Sequence, residues 1–357
     1  MNFFRPAKQF IKRYWQGMLS IFTLLLVVTA LAALTTATDD LSTASSENLE
    51  VVTPRLSSND FASTSSTTEE VATSSQDSSA ETPAVPADPF AVSIAAESAV
   101  VWDVERQQVL FAKNPDKEQP LASLTKLMTA LVAADLISGE DKEPTTVISR
   151  QHLRALGSSG LIAGQTWNIY DLISFMLIES SNDAARAVAA SASADPADGY
   201  AKEFIEQMNQ TARMLGLTTT YFFNPSGLDL NETLISGGYG SAEDVARLFS
   251  HIIKTNQAVL TPTTQSRKIF TSKEGLSYVA NNTNTWLPQF QNILGSKTGY
   301  TVLAGGNLVM GFALERPIVI VVLGSTKAGR FGDMKTLYEA SQQYLAQEQT
   351  AGAETQP

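Results

Sequence analysis

The sequence predicts an α+β domain built on one antiparallel sheet, with a helical lobe inserted between the two parts of that sheet. Two strand-like segments, 98–103 and 108–113, are joined by a short turn and precede a helix-rich middle at 123–254. Strand-like segments return in the last third, at 295–301, 306–313 and 318–324. Regular alternation of strands and helices would indicate a parallel sheet. Because the strands are grouped at both ends of the domain instead, we expect an antiparallel sheet flanked by helices, with a cleft between sheet and lobe.

The first 37 residues combine a basic start with an apolar run. Four basic residues precede the run at 18–37, which only Ser and Thr interrupt: Arg5, Lys8, Lys12 and Arg13. This pattern is typical of a secretory signal or a membrane anchor. A run of about 20 residues can cross a bilayer, which favours an uncleaved anchor, but Ala30-Leu31-Ala32 also offers a cleavage pattern. In either case the positive-inside rule places the rest of the chain outside the cytoplasm, in the cell envelope or secreted.

Two segments that flank the domain are predicted to lack a fold. Residues 38–89 are dominated by Ser, Thr, Ala and acidic residues, with Arg55 as their only basic residue. So few apolar residues cannot offset the entropy of ordering, and we expect a disordered spacer that holds the domain away from the membrane. The polar segment 347–357 is expected to be a flexible tail without a second membrane anchor. The folded domain is therefore predicted at 90–346.

Composition excludes several other classes of protein. The chain contains no cysteine, so it has neither a disulfide framework nor a thiolate metal site. Its net charge of −11 argues against a nucleic-acid partner. The sequence has no Cys/His cluster, Walker loop or dinucleotide fingerprint.

Apolar residues at helical spacing predict the helices of the lobe. They line one face of segment 123–136: Leu124, Leu127, Met128 and Leu131. Further helices are expected at 171–178, 182–192, 200–215 and 242–254, and a last one after the strands at 331–344. Asp171 and Asp183 lie where two of these helices begin, and we interpret both as caps.

Ser123 and Lys126 form the only Ser-x-x-Lys of the chain, at the predicted start of a helix. Residues three apart share a helix face, so the hydroxyl and the amine can meet. A serine hydroxyl is a poor nucleophile until a neighbouring base removes its proton. The only histidines, His152 and His251, stand in no serine-hydrolase context. Lys126, held neutral by desolvation or by a nearby cation, is therefore the candidate base.

Two further motifs follow along the chain. Ser180-Ser181-Asn182 is a Ser-x-Asn that, unlike two upstream matches, falls in the predicted domain, and Lys297-Thr298-Gly299 is the only Lys-Thr-Gly. Ser-x-x-Lys, Ser-x-Asn and Lys-Thr-Gly together are the signature of penicillin-binding proteins and class A β-lactamases. We therefore predict that the three motifs meet in one catalytic site.

Residues 90–345 resemble the D-alanyl-D-alanine carboxypeptidases of the serine peptidase S11 family. Four segments carry the resemblance in family order: Pro120–Thr129, Ser180–Ala185, Asn224–Leu228 and Gly295–Thr301. Val302 and Leu303 depart from it, because polar residues are common there in the family. The resemblance implies a β-lactamase/transpeptidase-like fold, peptidoglycan stem peptides as the substrate and β-lactams as inhibitors. No metal or cofactor is implied.

The resemblance also implies a role for each motif residue. Ser123 would attack the carbonyl of the terminal D-Ala–D-Ala bond, neutral Lys126 would be its base, and Ser180 would pass a proton to the departing D-alanine. The implied substrate-binding residues are Asn182, Lys297, Thr298, Gly299 and Tyr300. Thr298 would hydrogen-bond the terminal carboxylate, and the backbone N–H groups of Ser123 and Tyr300 would form the oxyanion hole. Water would then release the shortened peptide, which describes a serine-type D-Ala-D-Ala carboxypeptidase.

Other functions stay open. A D,D-endopeptidase would cut peptidoglycan crosslinks with the same motifs, and an envelope sensor or scaffold would bind penicillin without turnover. A class A β-lactamase also needs a glutamate for deacylation. No Glu between Asn182 and Lys297 is followed by Asn four residues on, so we expect slow deacylation and disfavour a β-lactamase.

Overall fold

The computed structural model of the chain describes residues 88–138, 143–154, 159–193, 202–230 and 234–354. The predicted membrane segment at 18–37 and the predicted spacer up to residue 87 lie outside these residues. In the part of the chain that the structure describes, no helix combines the length and the apolar character needed to cross a membrane.

Twelve strands and six α-helices make up the described residues. The first elements are β1 (Ser98–Asp103), β2 (Gln108–Lys113), β3 (Gln119–Pro120), a 3₁₀ turn (Ala122–Leu124) and α1 (Thr125–Ile137). The middle of the domain contains β4 (Thr145–Val147), β5 (Thr166–Asn168), α2 (Ile169–Glu179), α3 (Asn182–Ser191), α4 (Lys202–Met214), β6 (Tyr221–Phe222), β7 (Gly238–Gly240), α5 (Ala242–Asn256), β8 (Arg267–Thr271) and β9 (Ser277–Asn281). The last elements are β10 (Ile293–Thr301), β11 (Gly305–Ala313), β12 (Pro317–Ser325) and α6 (Gly329–Glu354).

The main sheet has five strands in the order β10-β11-β12-β1-β2, and every pairing in it is antiparallel. The predicted sheet, assembled from both ends of the domain, is confirmed. Successive residues of β1 face opposite sides: Val100 and Trp102 join the core of the lobe, whereas Ala99 and Val101 join the core under α6. Because both faces are covered, the central strands are apolar throughout instead of alternating with polar residues.

The first helix, α1, is the central helix of the lobe. All ten residues from Thr125 to Ala134 are buried, and the helix packs against α2, α3, α4 and α5. A helix that is apolar on all sides is buried on all sides. Since Lys126 lies in the first turn of α1, its amine is carried into the interior together with the apolar residues.

Two helices are capped by residues other than the predicted ones. The side chain of Asn168 caps α2 by accepting hydrogen bonds from the backbone N–H groups of Tyr170 and Asp171. The Ser181 hydroxyl caps α3 by accepting from the backbone N–H of Ala184. The interpretation of Asp171 and Asp183 as caps is therefore wrong. Both lie in the first turn, where a carboxylate is favoured by the positive end of the helix dipole.

The last helix, α6, continues to Glu354, ten residues beyond its predicted end. The expectation of a flexible tail at 347–357 is therefore wrong for residues 347–354. Glu348 explains the extension, because it accepts hydrogen bonds from the guanidinium groups of Arg106 and Arg316. Arg316 also donates from Nε to the fully buried Asp103 at the end of β1. Gln and Glu are good helix formers, so this anchor suffices to continue the helix.

We predict that Arg316→Ala lowers the free energy of unfolding by about 3 kcal/mol, because it leaves the buried Asp103 carboxylate without its cation. Arg106→Ala is the matched control: it removes an arginine that binds the same Glu348 from a side chain that is 48% exposed. The control substitution should lower the free energy of unfolding by less than about 1 kcal/mol. Urea unfolding of both variants makes the comparison. Equal losses of unfolding free energy in the two variants would contradict the importance assigned to the buried Asp103 carboxylate.

Candidate active site

The turn Leu121–Ser123 contains the predicted nucleophile and is called the nucleophile turn below. It is enclosed by backbone on two sides. A Cβ on Gly227 would lie 1.8 Å from the Ala122 carbonyl oxygen, and a Cβ on Gly299 would lie 2.8 Å from that of Leu121. Only glycine permits backbones to approach so closely. Ala122 adopts a φ of +49° within this enclosure. No side-chain cap is present at the start of the 3₁₀ turn or of α1, so the Ser123 hydroxyl is not used to satisfy its own helix.

Three oxygen atoms surround the buried amine of Lys126. Its Nζ lies 2.8 Å from Ser123 Oγ, 2.8 Å from Asn182 Oδ1 and 2.7 Å from the backbone oxygen of Ser226. An amide oxygen and a carbonyl oxygen can only accept, so they take the two N–H groups of a neutral amine. The lone pair of the amine then faces the only neighbour that can donate, the Ser123 hydroxyl. Burial first, and the Lys297 cation second, lower the pKa of Lys126 well below its usual value, which supports this neutral form.

The second motif forms the connection between α2 and α3. Ser180 has a left-handed backbone, with φ +59° and ψ +31°, and this turns the chain sharply at the end of α2. The Ser181 hydroxyl caps the start of α3, while Asn182 presents its Oδ1 to the Lys126 amine. Ser180 Oγ accepts a hydrogen bond of 2.8 Å from Lys297. The side chains of Ser180 and Asn182 therefore bind different lysines, Ser180 binding Lys297 and Asn182 binding Lys126.

The third motif lies on β10, which is an edge strand of the main sheet. Lys297 is only 1% exposed, and its amine donates to Ser180 Oγ and to the backbone oxygen of Thr298. Burial, with the nearby Arg330 as the second cause, lowers the pKa of Lys297 to about 7. Thr298 is buried beside it, with its hydroxyl 2.6 Å from that of Thr283. The three predicted motifs thus meet in one hydrogen-bonded cluster.

Three contributors to this cluster were not predicted from the sequence. Arg330 of α6 is 5% exposed and donates from Nη1 to the Gly299 carbonyl oxygen over 2.6 Å. Burial lowers its pKa to about 10, so the guanidinium remains charged at neutral pH. Ser226 contributes its carbonyl oxygen to Lys126 and Thr283 its hydroxyl to Thr298. None of the three has a local spacing signal, although the segment containing Ser226 was already part of the family resemblance.

Gly299 and Tyr300 follow Lys297 and Thr298 on β10, and the substrate-binding roles that the resemblance implied for them stay predictions. The side of Gly299 that lacks a Cβ faces Leu121 and Ala122, so this glycine makes room for the nucleophile turn. The Tyr300 side chain points outward, is 45% exposed and lies under the Lys327 ammonium, 5.2 Å from its ring centre. Val302 and Leu303 are 81% and 39% exposed, and they give the β10–β11 turn an apolar surface.

The histidines lie outside this cluster. His152 Nδ1 accepts a hydrogen bond from the backbone N–H of Ser149, and His251 lies on α5. Among the described residues, no group of three or more His, Asp or Glu side chains could hold a metal ion.

We predict that stability rises between pH 7 and pH 9 because of Lys297. The unfolded chain holds this proton up to a pKa near 10.4, whereas the folded chain releases it at about pH 7. Between these values the unfolded state binds more protons, so the free energy of unfolding rises with pH, by as much as about 2 kcal/mol for one lysine over this interval.

Urea unfolding at pH 7 and pH 9 measures this increase. Lys297→Met should reduce it, whereas Lys335→Met, which removes a half-exposed lysine of α6, should leave it unchanged. A wild-type stability that stays flat or falls over this interval would contradict the assigned pKa of Lys297.

Known proteins of several kinds resemble this chain. A family model for D-alanyl-D-alanine carboxypeptidases of the peptidase S11 family matches residues 80–327. The carboxypeptidase DacF of Bacillus subtilis is 30% identical over 58% of this chain, and the matched part is 51% of DacF. A D-alanyl-D-alanine endopeptidase of Pseudomonas aeruginosa is also 30% identical, over 66% of this chain and 73% of its own.

A solved structure shows the same fold. Penicillin-binding protein D2 of Listeria monocytogenes, in its ampicillin-bound form, is 30% identical with a TM-score of 0.60, and the match covers 70% of this chain and 98% of that one. This chain spans about half the length of the Bacillus relative. The family model covers most of the folded residues, includes all three motifs and agrees with the architecture of the neighbour. The chain belongs to the S11 family of serine peptidases, the D-alanyl-D-alanine carboxypeptidases.

Proposed function

We propose that the protein is a serine-type D-Ala-D-Ala carboxypeptidase that removes the terminal D-alanine from peptidoglycan stem peptides. The observation that carries this proposal is the hydrogen bond between Lys126 Nζ and Ser123 Oγ, 2.8 Å long, at a fully buried amine whose other neighbours only accept. A lysine in this setting is a base. The names of the carboxypeptidase relatives support the choice of substrate.

Acylation begins when Lys126 takes the proton of Ser123. The Ser123 oxygen attacks the carbonyl carbon of the D-Ala–D-Ala bond, and the developing oxyanion is bound by the backbone N–H groups of Ser123 and Tyr300. A donor of this kind typically contributes about 3 kcal/mol to the transition state. The C–N bond then breaks, and the leaving amine receives a proton through Ser180, whose hydroxyl is bonded to Lys297. The products are an ester on Ser123 and free D-alanine.

The substrate is held through its terminal carboxylate. Lys297 and Arg330 give this side of the cluster a positive potential, and the buried Thr298 follows Lys297 on β10. An anion that approaches raises the pKa of Lys297 and keeps its amine charged. Asn182 binds Lys126 through Oδ1 and would position the substrate amide beside it.

Water completes the reaction by hydrolysing the ester, with Lys126 again as the base. β-Lactams enter the same pathway, because their strained amide acylates Ser123 but leaves no separate amine to depart. No carboxylate hydrogen-bonds Ser123 or Lys126 among the described residues. Deacylation of a penicilloyl ester is therefore slow, and the protein behaves as a penicillin-binding protein, not as a β-lactamase.

A D,D-endopeptidase is the second candidate, because two relatives, from Pseudomonas aeruginosa and Escherichia coli, carry that name and are each 30% identical to this chain. The chemistry at Ser123 is the same, but the leaving amine belongs to a second stem peptide. Digestion of crosslinked muropeptide dimers beside pentapeptide monomers distinguishes the two. Faster cleavage of dimers would assign the endopeptidase.

The compartment follows from the amino-terminal segment. The basic residues before the apolar run at 18–37 support an anchor in the cytoplasmic membrane, with the domain on its outer face and the spacer at 38–89 between them. A cell-wall substrate fits this placement. Membrane flotation of the full chain, beside a chain that lacks residues 18–37, tests the assignment.

We predict that Ser123→Ala abolishes two activities of the full chain together, the release of D-alanine from a pentapeptide and covalent labelling by a fluorescent penicillin. Removal of the nucleophile should reduce release at least about a thousandfold. Ser174→Ala is the matched control, since its hydroxyl bonds only the local carbonyl of Tyr170. In the wild type the label should persist after free penicillin is removed. Release that survives in Ser123→Ala would overturn the proposal, and labelling without release would favour a sensor.

A further inference from the structure

Thr283 lies beside the third motif but belongs to none of the three motifs. Its Oγ1 is 2.6 Å from Thr298 Oγ1. Within the described ranges, this contact is the only hydrogen bond that either hydroxyl makes. Among the described residues, the Thr298 hydroxyl therefore has one hydrogen-bond partner, which is contributed by the loop between β9 and β10.

The position of Thr283 is fixed independently of Thr298. Its backbone N–H donates to the carbonyl oxygen of Ile178 near the end of α2, at 3.2 Å. The preceding side chain, Asn282, donates to the carbonyl oxygens of Thr263 and Gln265 at 2.8 and 3.0 Å. The loop is thus bound both to the helix that precedes Ser180 and to the layer behind β10. The Thr283 hydroxyl is presented by a rigid support.

The number of hydroxyl hydrogens determines which of the two threonines donates in this contact. Each hydroxyl carries one hydrogen, so only one of the two threonines can donate within the pair. A carboxylate only accepts, so when it binds, the Thr298 hydrogen must point to it. The Thr298 oxygen is then free to accept from Thr283. The bound state is a chain in which Thr283 donates to Thr298 and Thr298 donates to the anion, and such chains strengthen each of their bonds.

From this geometry we infer that Thr283 is a positioning residue that aims the Thr298 hydroxyl at the terminal carboxylate of the substrate. The inference rests on the proposed function for the role of Thr298. Thr283 does not touch the scissile bond, so its contribution is to recognition of the carboxylate and not to the attack by Ser123.

The test compares reagents with and without the carboxylate. Second-order rate constants of acylation are measured on the full chain with benzylpenicillin and with its methyl ester, and kcat and KM are measured for D-alanine release from a pentapeptide. Thr283→Val should lower the ratio of the penicillin rate to the ester rate roughly fivefold, the loss expected for one hydrogen bond. Thr283→Val should also lower kcat/KM for the pentapeptide, through a higher KM and not through a lower kcat.

Thr283→Ser restores the hydroxyl and should restore the ratio. Thr255→Val is the matched control, because its hydroxyl is exposed and bonds only the His251 carbonyl oxygen on α5. Thr283→Ala serves as a second hydroxyl-free variant if the valine variant melts early. An unchanged ratio, or an equal loss with both reagents, would overturn the inference and leave Thr283 a structural residue. If the wild type releases no D-alanine, the proposed function fails, while the penicillin ratio still decides the role of Thr283.

Discussion

The structure depends on the burial of two lysine amines beside one another. An ammonium ion loses much of its hydration when it is buried, and a second cation nearby adds repulsion. Both effects are relieved when one amine gives up its proton. The lobe and the sheet each contribute one of these lysines, Lys126 from α1 and Lys297 from β10. Packing of the two layers therefore lowers the pKa of both lysines, since neither element alone would keep its lysine out of water.

The surrounding groups divide the two lysines into different states. Lys126 is bound by oxygens that match a neutral amine, and burial, with the Lys297 cation as the second cause, lowers its pKa well below the usual value. Lys297 has a hydroxyl and a carbonyl as partners and retains a pKa of about 7. Paired titratable groups whose environments separate their pKa values commonly divide acid and base roles. The proposed roles agree with this pattern, with Lys126 as the base and Lys297 as the cation that attracts the substrate carboxylate.

Local pattern was enough to predict part of this arrangement. Strands β1 and β2 match their predicted bounds residue for residue, because two short runs of strand-forming residues and the turn between them define both, although only β1 is buried. Ser123 and Lys126 were paired by helical spacing alone. The hairpin of β8 and β9 was not predicted, and it leaves Ile269 and Val279 on its exposed face. Arg330 was also missed, since it reaches Gly299 from 31 residues away through the packing of α6, and no short-range rule encodes that contact.

The left-handed backbone of Ser180 has a consequence for the stability of the turn between α2 and α3. A residue with a side chain is strained by about 1 kcal/mol or more in this conformation, whereas glycine adopts it freely. Glycine at position 180 would relieve this strain but would remove the hydroxyl that accepts a hydrogen bond from Lys297. Serine therefore connects the α2–α3 turn to β10 at the expense of backbone strain, so the backbone of this turn is less stable than glycine would make it.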